Sequence, residues 1–364
     1  MRFMEARMTP RARRPDARGA GEARTQLLEL AALYGNGTLG VPSRFFPVPD
    51  MPAVTATPVG AVGPVGDGPL GTQVFDLAYR SEYEPFAPGA RDLHLRAAEN
   101  LTAHARWWTS GHGRPTIVLV HGWGGGNQWV TERTFGVAYW LRHGYDVAAF
   151  VLPFHGARAA SPLRSGAGFP SPNPLRTNEA FGQAIHDLRA LSRFLRSRGA
   201  SAVGVLGMSL GGYTAALWAS VAGPEDLGGI DFSVAMIPAV SMAPLIWRHG
   251  AHSERRAEAV RAGVTEDLLV DAFAVHAPTT RPARLGRERL FVVAGRGDRI
   301  TPPEQAEMLA AHWGVDVRWF DGGHLAQIGR GEVLRDVRRA LGGLGFAGRA
   351  PRIGSTAAAM GASR

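Results

Sequence analysis

The stretch Val203-Gly204-Val205-Leu206-Gly207-Met208-Ser209-Leu210-Gly211-Gly212 decides how this chain is read. It contains G-x-S-x-G, which alone says little, because a chain with 47 Gly produces about a quarter of such a match by chance. The context says more. An apolar, β-prone run at 203–206 ends at the motif, and a helix-prone run with Gly211, Gly212 and Ala215 near its start follows. That is strand, sharp turn, helix, the setting in which a serine is held in a strained backbone conformation with its hydroxyl projecting into a cleft. Small residues two positions either side of Ser209 let strand and helix pass closely. The alternative is an ordinary strand-to-helix turn with a buried serine.

Working outward, the run Thr116-Ile117-Val118-Leu119-Val120 is continuous and β-branched, as in a strand buried on both faces of a parallel sheet. Strands are also expected at 146–152, 202–206, 232–237, 290–294 and 315–320, with helices at 131–143, 178–198, 210–221 and 332–341 between and after them. Phe181, Ile185, Leu188, Leu191 and Leu195 share one face of the longest helix. Thr301-Pro302-Pro303-Glu304 reads as a helix start, with Thr301 as N-cap and Glu304 completing a capping box. Two leading edge strands are expected near 74–79 and 100–108. Strands alternating with helices predict a mostly parallel, doubly wound α/β sheet. Residues 242–285 interrupt the alternation with helix-prone, polar and aromatic segments and read as a small helical cap.

The chemistry expected at the strand ends follows from Ser209. An attacking serine places negative charge on the substrate oxygen, so donors must wait where that charge appears. The backbone N–H of Leu210 is one candidate, and that of Trp123, in the loop His121-Gly122-Trp123-Gly124-Gly125-Gly126, is the other. His121 is read as an anchor of that loop. Twelve histidines compete for the general base. His324, in Asp321-Gly322-Gly323-His324-Leu325, follows the last strand and can reach back over Ser209. Asp298, in Gly295-Arg296-Gly297-Asp298, follows the preceding strand and would orient the imidazole, with Asp321 as the rival acid. Trp123, Phe154 and His155 are candidate substrate-binding residues at the same edge of the sheet, His155 with a structural loop role as the alternative.

On these residues the chain resembles the alpha/beta-hydrolase superfamily over roughly residues 73–345, through the His121-Gly122 loop, the Ser209 elbow, the segment 295–302 around Asp298, and Gly323-His324. The order Ser209, Asp298, His324 is that superfamily's order of nucleophile, acid and base. The resemblance implies an alpha/beta-hydrolase fold and an acyl-enzyme chemistry shared by esterases, lipases, thioesterases, peptidases and acyltransferases, with no metal or organic cofactor. It implies no particular substrate. Leu210-Gly211-Gly212 also looks like the elbow of prolyl-oligopeptidase relatives, but no propeller domain precedes it. The expectation is a serine hydrolase that cleaves a carboxylic ester or related acyl bond of a small molecule. An acyltransferase or peptidase would use the same triad, and a non-catalytic scaffold would keep the fold alone.

Composition narrows the remaining classes. At 364 residues with 45% hydrophobic content the chain can bury a sizeable core. It has no cysteine, which excludes disulfides, thiolate metal sites and cysteine nucleophiles. The formal charge is +9 and every basic residue is arginine. Residues 1–24 carry a net +4 of that charge, so much of the excess sits in what reads as a disordered basic arm, and no nucleic-acid partner is expected. A P-loop is impossible without lysine. Apolar runs such as 147–152 are far too short for a membrane span, and no signal segment is completed near Arg13-Arg14, so the cytoplasm is the expected compartment. Residues 25–72 form a Pro- and Gly-rich lead with a short helix near 25–34, the hydrolase domain is expected to start at 73, and 346–364 read as a disordered tail. The oligomeric state is not legible.

Overall fold

The β-branched runs occupy the middle of a nine-stranded sheet among the residues that a computed structural model describes, namely 17–59, 71–111, 113–160, 162–171, 173–250 and 253–346. The strands are β1 Thr55–Pro58, β2 Gln73–Arg80, β3 Thr102–Thr109, β4 Thr116–Val120, β5 Asp146–Phe150, β6 Val203–Met208, β7 Phe232–Met236, β8 Leu290–Gly295 and β9 Val317–Phe320. Their spatial order is β1-β2-β3-β5-β4-β6-β7-β8-β9. The first three strands and the β3–β5 pairing are antiparallel, and every pairing from β5 to β9 is parallel. All residues of β4, β5 and β7 are buried, as strands covered on both faces must be.

Helices cover both faces. They are α1 Ala17–Gly35, α2 Arg91–Arg96, α3 Gln128–Phe135, α4 Val137–Arg142, α5 Pro174–Ser197, α6 Leu210–Val221, α7 Met242–His249, α8 Glu254–Arg261, α9 Glu266–Phe273, α10 Pro303–Trp313 and α11 Arg330–Leu341. Leu188 and Leu191 of α5, Leu217 of α6 and Leu309 of α10 pack with Val118, Val205 and Val292 on one side of the sheet. Phe135, Trp140, Val337 and Leu341 pack with Ile117, Leu119 and Val293 on the other. Alternate residues of one strand thus feed two cores. The single helix expected at 131–143 is two, because Gly136 turns left-handed (φ 64°) between α3 and α4.

The lead and the arm differ from expectation. The helix expected from 25 begins at Ala17, so 17–24 are not part of a disordered arm, and residues 1–16 lie outside the described residues. Leu27, Leu30 and Tyr34 are buried, and α1 packs on α8 and α9, the helices inserted between β7 and β8. The sheet starts at Thr55 rather than 73. The reason lies in α5, whose polar side is buried as thoroughly as its apolar one. Tyr34 and Tyr83 donate to the two oxygens of Glu179 at 2.5 and 2.6 Å, and the Phe86 and Ala87 N–H groups donate at 2.9 and 3.0 Å. Arg189 donates to the Phe46 carbonyl at 3.1 Å, and Arg158 pairs with Asp187 at 2.8 Å with both side chains inaccessible. Buried polar groups must be hydrogen-bonded, and the lead supplies several of the partners. Phe346, expected in the tail, packs on Phe232 with ring centroids 5.3 Å apart, and 347–364 lie outside the described residues.

Removing one donor from the buried Glu179 carboxylate tests whether the lead belongs to the fold. Tyr34→Phe is expected to lower stability by about 1–3 kcal/mol in urea denaturation without altering the native far-ultraviolet spectrum. Unchanged stability would mean that α1 only rests on the domain.

Candidate active site

The order of strands reverses around β4, since the chain runs from β4 to β5 on one side and then crosses to β6 on the other. In an open α/β sheet a crevice forms at the carboxyl ends of the strands flanking such a switch point. The loop after β4 is 121–126 and the turn after β6 holds Ser209. Ser209 sits at φ 58°, ψ −114°, a positive φ outside the usual non-glycine regions. Its neighbours explain how the turn closes. A Cβ on Gly207 would fall 1.9 Å from the Gly211 carbonyl oxygen, and one on Gly211 would fall 1.9 Å from the Val120 carbonyl oxygen. Only glycine fits at either position. The Ser209 N–H donates to the Met236 carbonyl at 3.0 Å, which ties the strained residue to the end of β7.

Asp298 follows β8 and His324 follows β9. Backbone bonds sew the two turns together, with Arg296 N–H donating to Phe320 O at 2.9 Å and Gly297 N–H to Gly322 O at 3.1 Å. The Asp298 Oδ1 accepts from the N–H groups of Ile300 and Thr301 at 2.8 and 3.0 Å. Its Oδ2 lies 2.8 Å from His324 Nδ1, and His324 Nε2 lies 3.0 Å from Ser209 Oγ. Nδ1 faces a carboxylate that is 1% exposed and therefore carries the ring proton, leaving the Nε2 lone pair for the serine hydroxyl. Asp321, the rival acid, is 89% exposed and 3.8 Å from Arg296. It makes no hydrogen bond to His324.

The 121–126 loop passes directly beside Ser209, since a Cβ on Gly122 would lie 3.3 Å from Ser209 Cβ. His121 holds that loop. Its Nε2 accepts from Leu152 N–H at 3.2 Å, so Nδ1 donates to the Gly122 carbonyl at 2.8 Å, and burial pushes the imidazole down to about 4. The N–H of Leu210 opens α6 and has no acceptor within the helix. The N–H of Trp123 follows Gly122, and neither group donates to another among the described residues. Trp123 is half-buried with its indole N–H on the Gly166 carbonyl at 2.9 Å. Phe154 is half-buried at φ 62°, its N–H donated to Asn100 Oδ1 at 2.7 Å.

His155 does not line the cleft. It is 0% exposed, donates to the Pro153 carbonyl at 2.8 Å, and packs between His121 and Phe169. Burial holds its imidazole near 3, and its position supports the loop rather than meeting substrate. Sequence reasoning also missed Thr301 and Ile237. Thr301 is no N-cap, for Pro302 takes that position without a side-chain bond, and the Thr301 hydroxyl turns inward to Asp298 and His324. Gln327 was missed too; it donates to the His324 carbonyl at 2.9 Å and touches the Met208 sulfur at 3.3 Å. Among the described residues no three His, Asp or Glu side chains cluster as a metal site would, and no helix is long and apolar enough to cross a membrane.

No family model matches the chain. It is 31% identical over 327 residues to the uncharacterized protein MT2702 of Mycobacterium tuberculosis (strain CDC 1551 / Oshkosh), covering 86% of this chain and 74% of that protein. The uncharacterized protein Rv2627c of Mycobacterium tuberculosis (strain ATCC 25618 / H37Rv) is 31% identical over 236 residues, 63% of this chain and 54% of that protein. Among solved structures, the acetyl xylan esterase from Paenibacillus sp. R4 superposes with a TM-score of 0.55 at 13% identity, covering 91% of this chain and 96% of that one. Acetyl xylan esterase 1 from Thermoanaerobacterium sp. JW/SL YS485 gives 0.51 at 13% identity, over 92% and 96%. At such identities the likeness is one of fold. With its glycine-bounded elbow at the switch point of a mostly parallel sheet, the chain has the alpha/beta-hydrolase fold, and it belongs to one family with the uncharacterized protein MT2702.

Proposed function

We propose that this protein is a serine hydrolase that cleaves a carboxylic ester or related acyl bond of a small molecule through an acyl-enzyme on Ser209. The observation that carries the reading is the unbroken chain from Ser209 Oγ through His324 to Asp298, at 3.0 and 2.8 Å. In the proposed reaction His324 Nε2 takes the hydroxyl proton as Ser209 Oγ attacks the acyl carbon. Asp298 stabilises the imidazolium, and the N–H groups of Leu210 and Trp123 receive the oxyanion. His324 then returns the proton to the leaving group, and water, activated by the same base, releases the acyl group. The chemistry draws on no metal or organic cofactor.

The surroundings favour a substrate with an apolar portion. Leu325 and Ile328, on the turn that carries His324, are 88% and 71% exposed, and Trp129 and Val130 stand exposed where α3 leaves the 121–126 loop. Trp123 and Phe154 are the candidate contacts for the acyl group. The two acetyl xylan esterases that share the fold are, by name, enzymes of ester substrates. No similar observation favours a scaffold, which would have no need of the three-residue chain.

A fluorophosphonate probe tests the assembled site, because a serine hydroxyl reacts only when a base and oxyanion donors act on it together. The wild type is expected to be labelled on the peptide containing Ser209, Ser209→Ala to lose labelling, and His324→Ala to suppress it strongly. Folded protein that resists the probe and hydrolyses no p-nitrophenyl acetate or butyrate would overturn the reading. Labelling without hydrolysis would redirect it to an acyltransferase or a peptidase.

The two acids separate in the same assay. Asp298→Asn is expected to lower turnover by up to roughly 10⁴-fold, since the imidazole then settles in the wrong tautomer. Asp321→Asn should stay within a few-fold of wild type, and the reverse ranking in folded variants would refute the assignment.

A further inference from the structure

The Thr301 hydroxyl is placed where a helix cap has no use for it. Its oxygen lies 3.0 Å from the Ile237 carbonyl oxygen, 3.1 Å from Asp298 Oδ2 and 3.1 Å from His324 Nδ1, and the residue is buried. One hydroxyl has one proton and two lone pairs, so only one of the two acceptors receives it. Asp298 already accepts from Ile300, Thr301 and His324 through its other contacts. The Ile237 carbonyl, in a residue 1% exposed, has no other donor among the described residues. Leaving a buried carbonyl unpaired is costly. The arrangement that satisfies every group therefore sends the Thr301 proton to Ile237 O and turns a lone pair towards the Nδ1–H of His324. That proton is then shared between Asp298 Oδ2 and Thr301 Oγ.

Ile237 supplies a second observation. It is a β-branched residue at φ 40°, one of three non-glycine residues with positive φ among those described, and Ser209 is another. Strain of this kind persists where the surroundings over-determine it, and it clusters at functional sites. Met236 accepts the Ser209 N–H, and the next carbonyl, that of Ile237, accepts Thr301. The end of β7, lying between β6 and β8, thus braces the nucleophile with one carbonyl and the acid–base pair with the next.

We propose that Thr301 is a positioning residue of the proposed acyl-transfer site, whose hydroxyl, anchored on Ile237, holds the His324 ring in the tautomer and rotation that face Ser209. The inference rests on the serine hydrolase reading, and its test has one arm that does not depend on activity. In the activity arm, Thr301→Val keeps the shape and removes the hydroxyl. It should lower kcat between about tenfold and hundredfold with KM changed by less than about threefold, while Thr301→Ser should recover most of the rate. Thr301→Ala replaces the valine variant if that one fails to fold. In the second arm, ¹⁵N-edited NMR follows the His324 Nδ1 proton without substrate. Its exchange with solvent should quicken by about tenfold or more in Thr301→Val and stay near wild type in Thr301→Ser. A folded valine variant with wild-type kcat and wild-type exchange overturns the proposal, as does a serine variant as impaired as the valine one. If wild type neither labels nor turns over, the hydrolase reading fails, and the exchange rates still decide whether Thr301 holds the ring.

Discussion

Everything near the candidate site depends on one close crossing, where the strand entering Ser209 and the helix leaving it pass with no room for a side chain. Gly207 faces the Gly211 carbonyl, and Gly211 faces the carbonyl of Val120 at the end of the neighbouring strand. With both neighbours pinned, Ser209 has to take a positive φ, a state that costs on the order of 1–3 kcal/mol and persists because the sheet on either side holds it. The crossing also sets the Leu210 N–H at the start of α6 and brings the 121–126 loop beside Ser209. A bulkier residue at either glycine would therefore disturb Ser209, the Leu210 N–H and the sheet together.

A second constraint is the burial of polar groups under the loops. His121 and His155 lie with ring centroids 5.0 Å apart beneath the 121–126 and 153–158 turns, and burial depresses both imidazoles far below their ordinary value. Both support backbone, His121 through both ring nitrogens and His155 through Nδ1 on the Pro153 carbonyl. His324 differs in kind, with one nitrogen on a carboxylate and the other on a hydroxyl. What distinguishes the proposed base from a structural histidine here is the pair of partners, since all three follow strands at the same edge of the sheet.

The lead segment follows the same logic on a larger scale. An amphipathic helix normally leaves its polar face in water, yet α5 buries Glu179, Gln183, His186, Asp187 and Arg189 along with its leucines. Those groups need partners, and Tyr34, Phe46 and Pro47 of the lead, with Ser81, Tyr83 and Asn100 beyond it, supply them. Because α1 also packs against α8 and α9, the inserted helices and the lead form one cover over this side of the domain. A residue such as His276, bonded to Tyr213 of α6 at 2.6 Å and to Asn178 of α5 at 3.1 Å, joins that cover to the helix that begins after Ser209.

The sequence by itself determined the alternation of strands and helices, the elbow, and the placing of Ser209, Asp298 and His324 after β6, β8 and β9. These are local signals: β-branched runs, glycines at fixed offsets and loop residues directly after strands. Tertiary structure decided what depends on residues far apart in the chain. It set Asp298, rather than Asp321 of the same turn, against His324, and put His324 against a serine 115 positions away. It buried His155 and filled the polar face of α5 with the lead. It also turned Thr301 away from the helix start that its neighbours Pro302, Pro303 and Glu304 suggest, because the Ile237 carbonyl and the His324 ring arrive there only when β7, β8 and β9 lie side by side. Local spacing encodes which element a residue belongs to, whereas the partner of a buried polar group is fixed only by the strands and helices that pack around it.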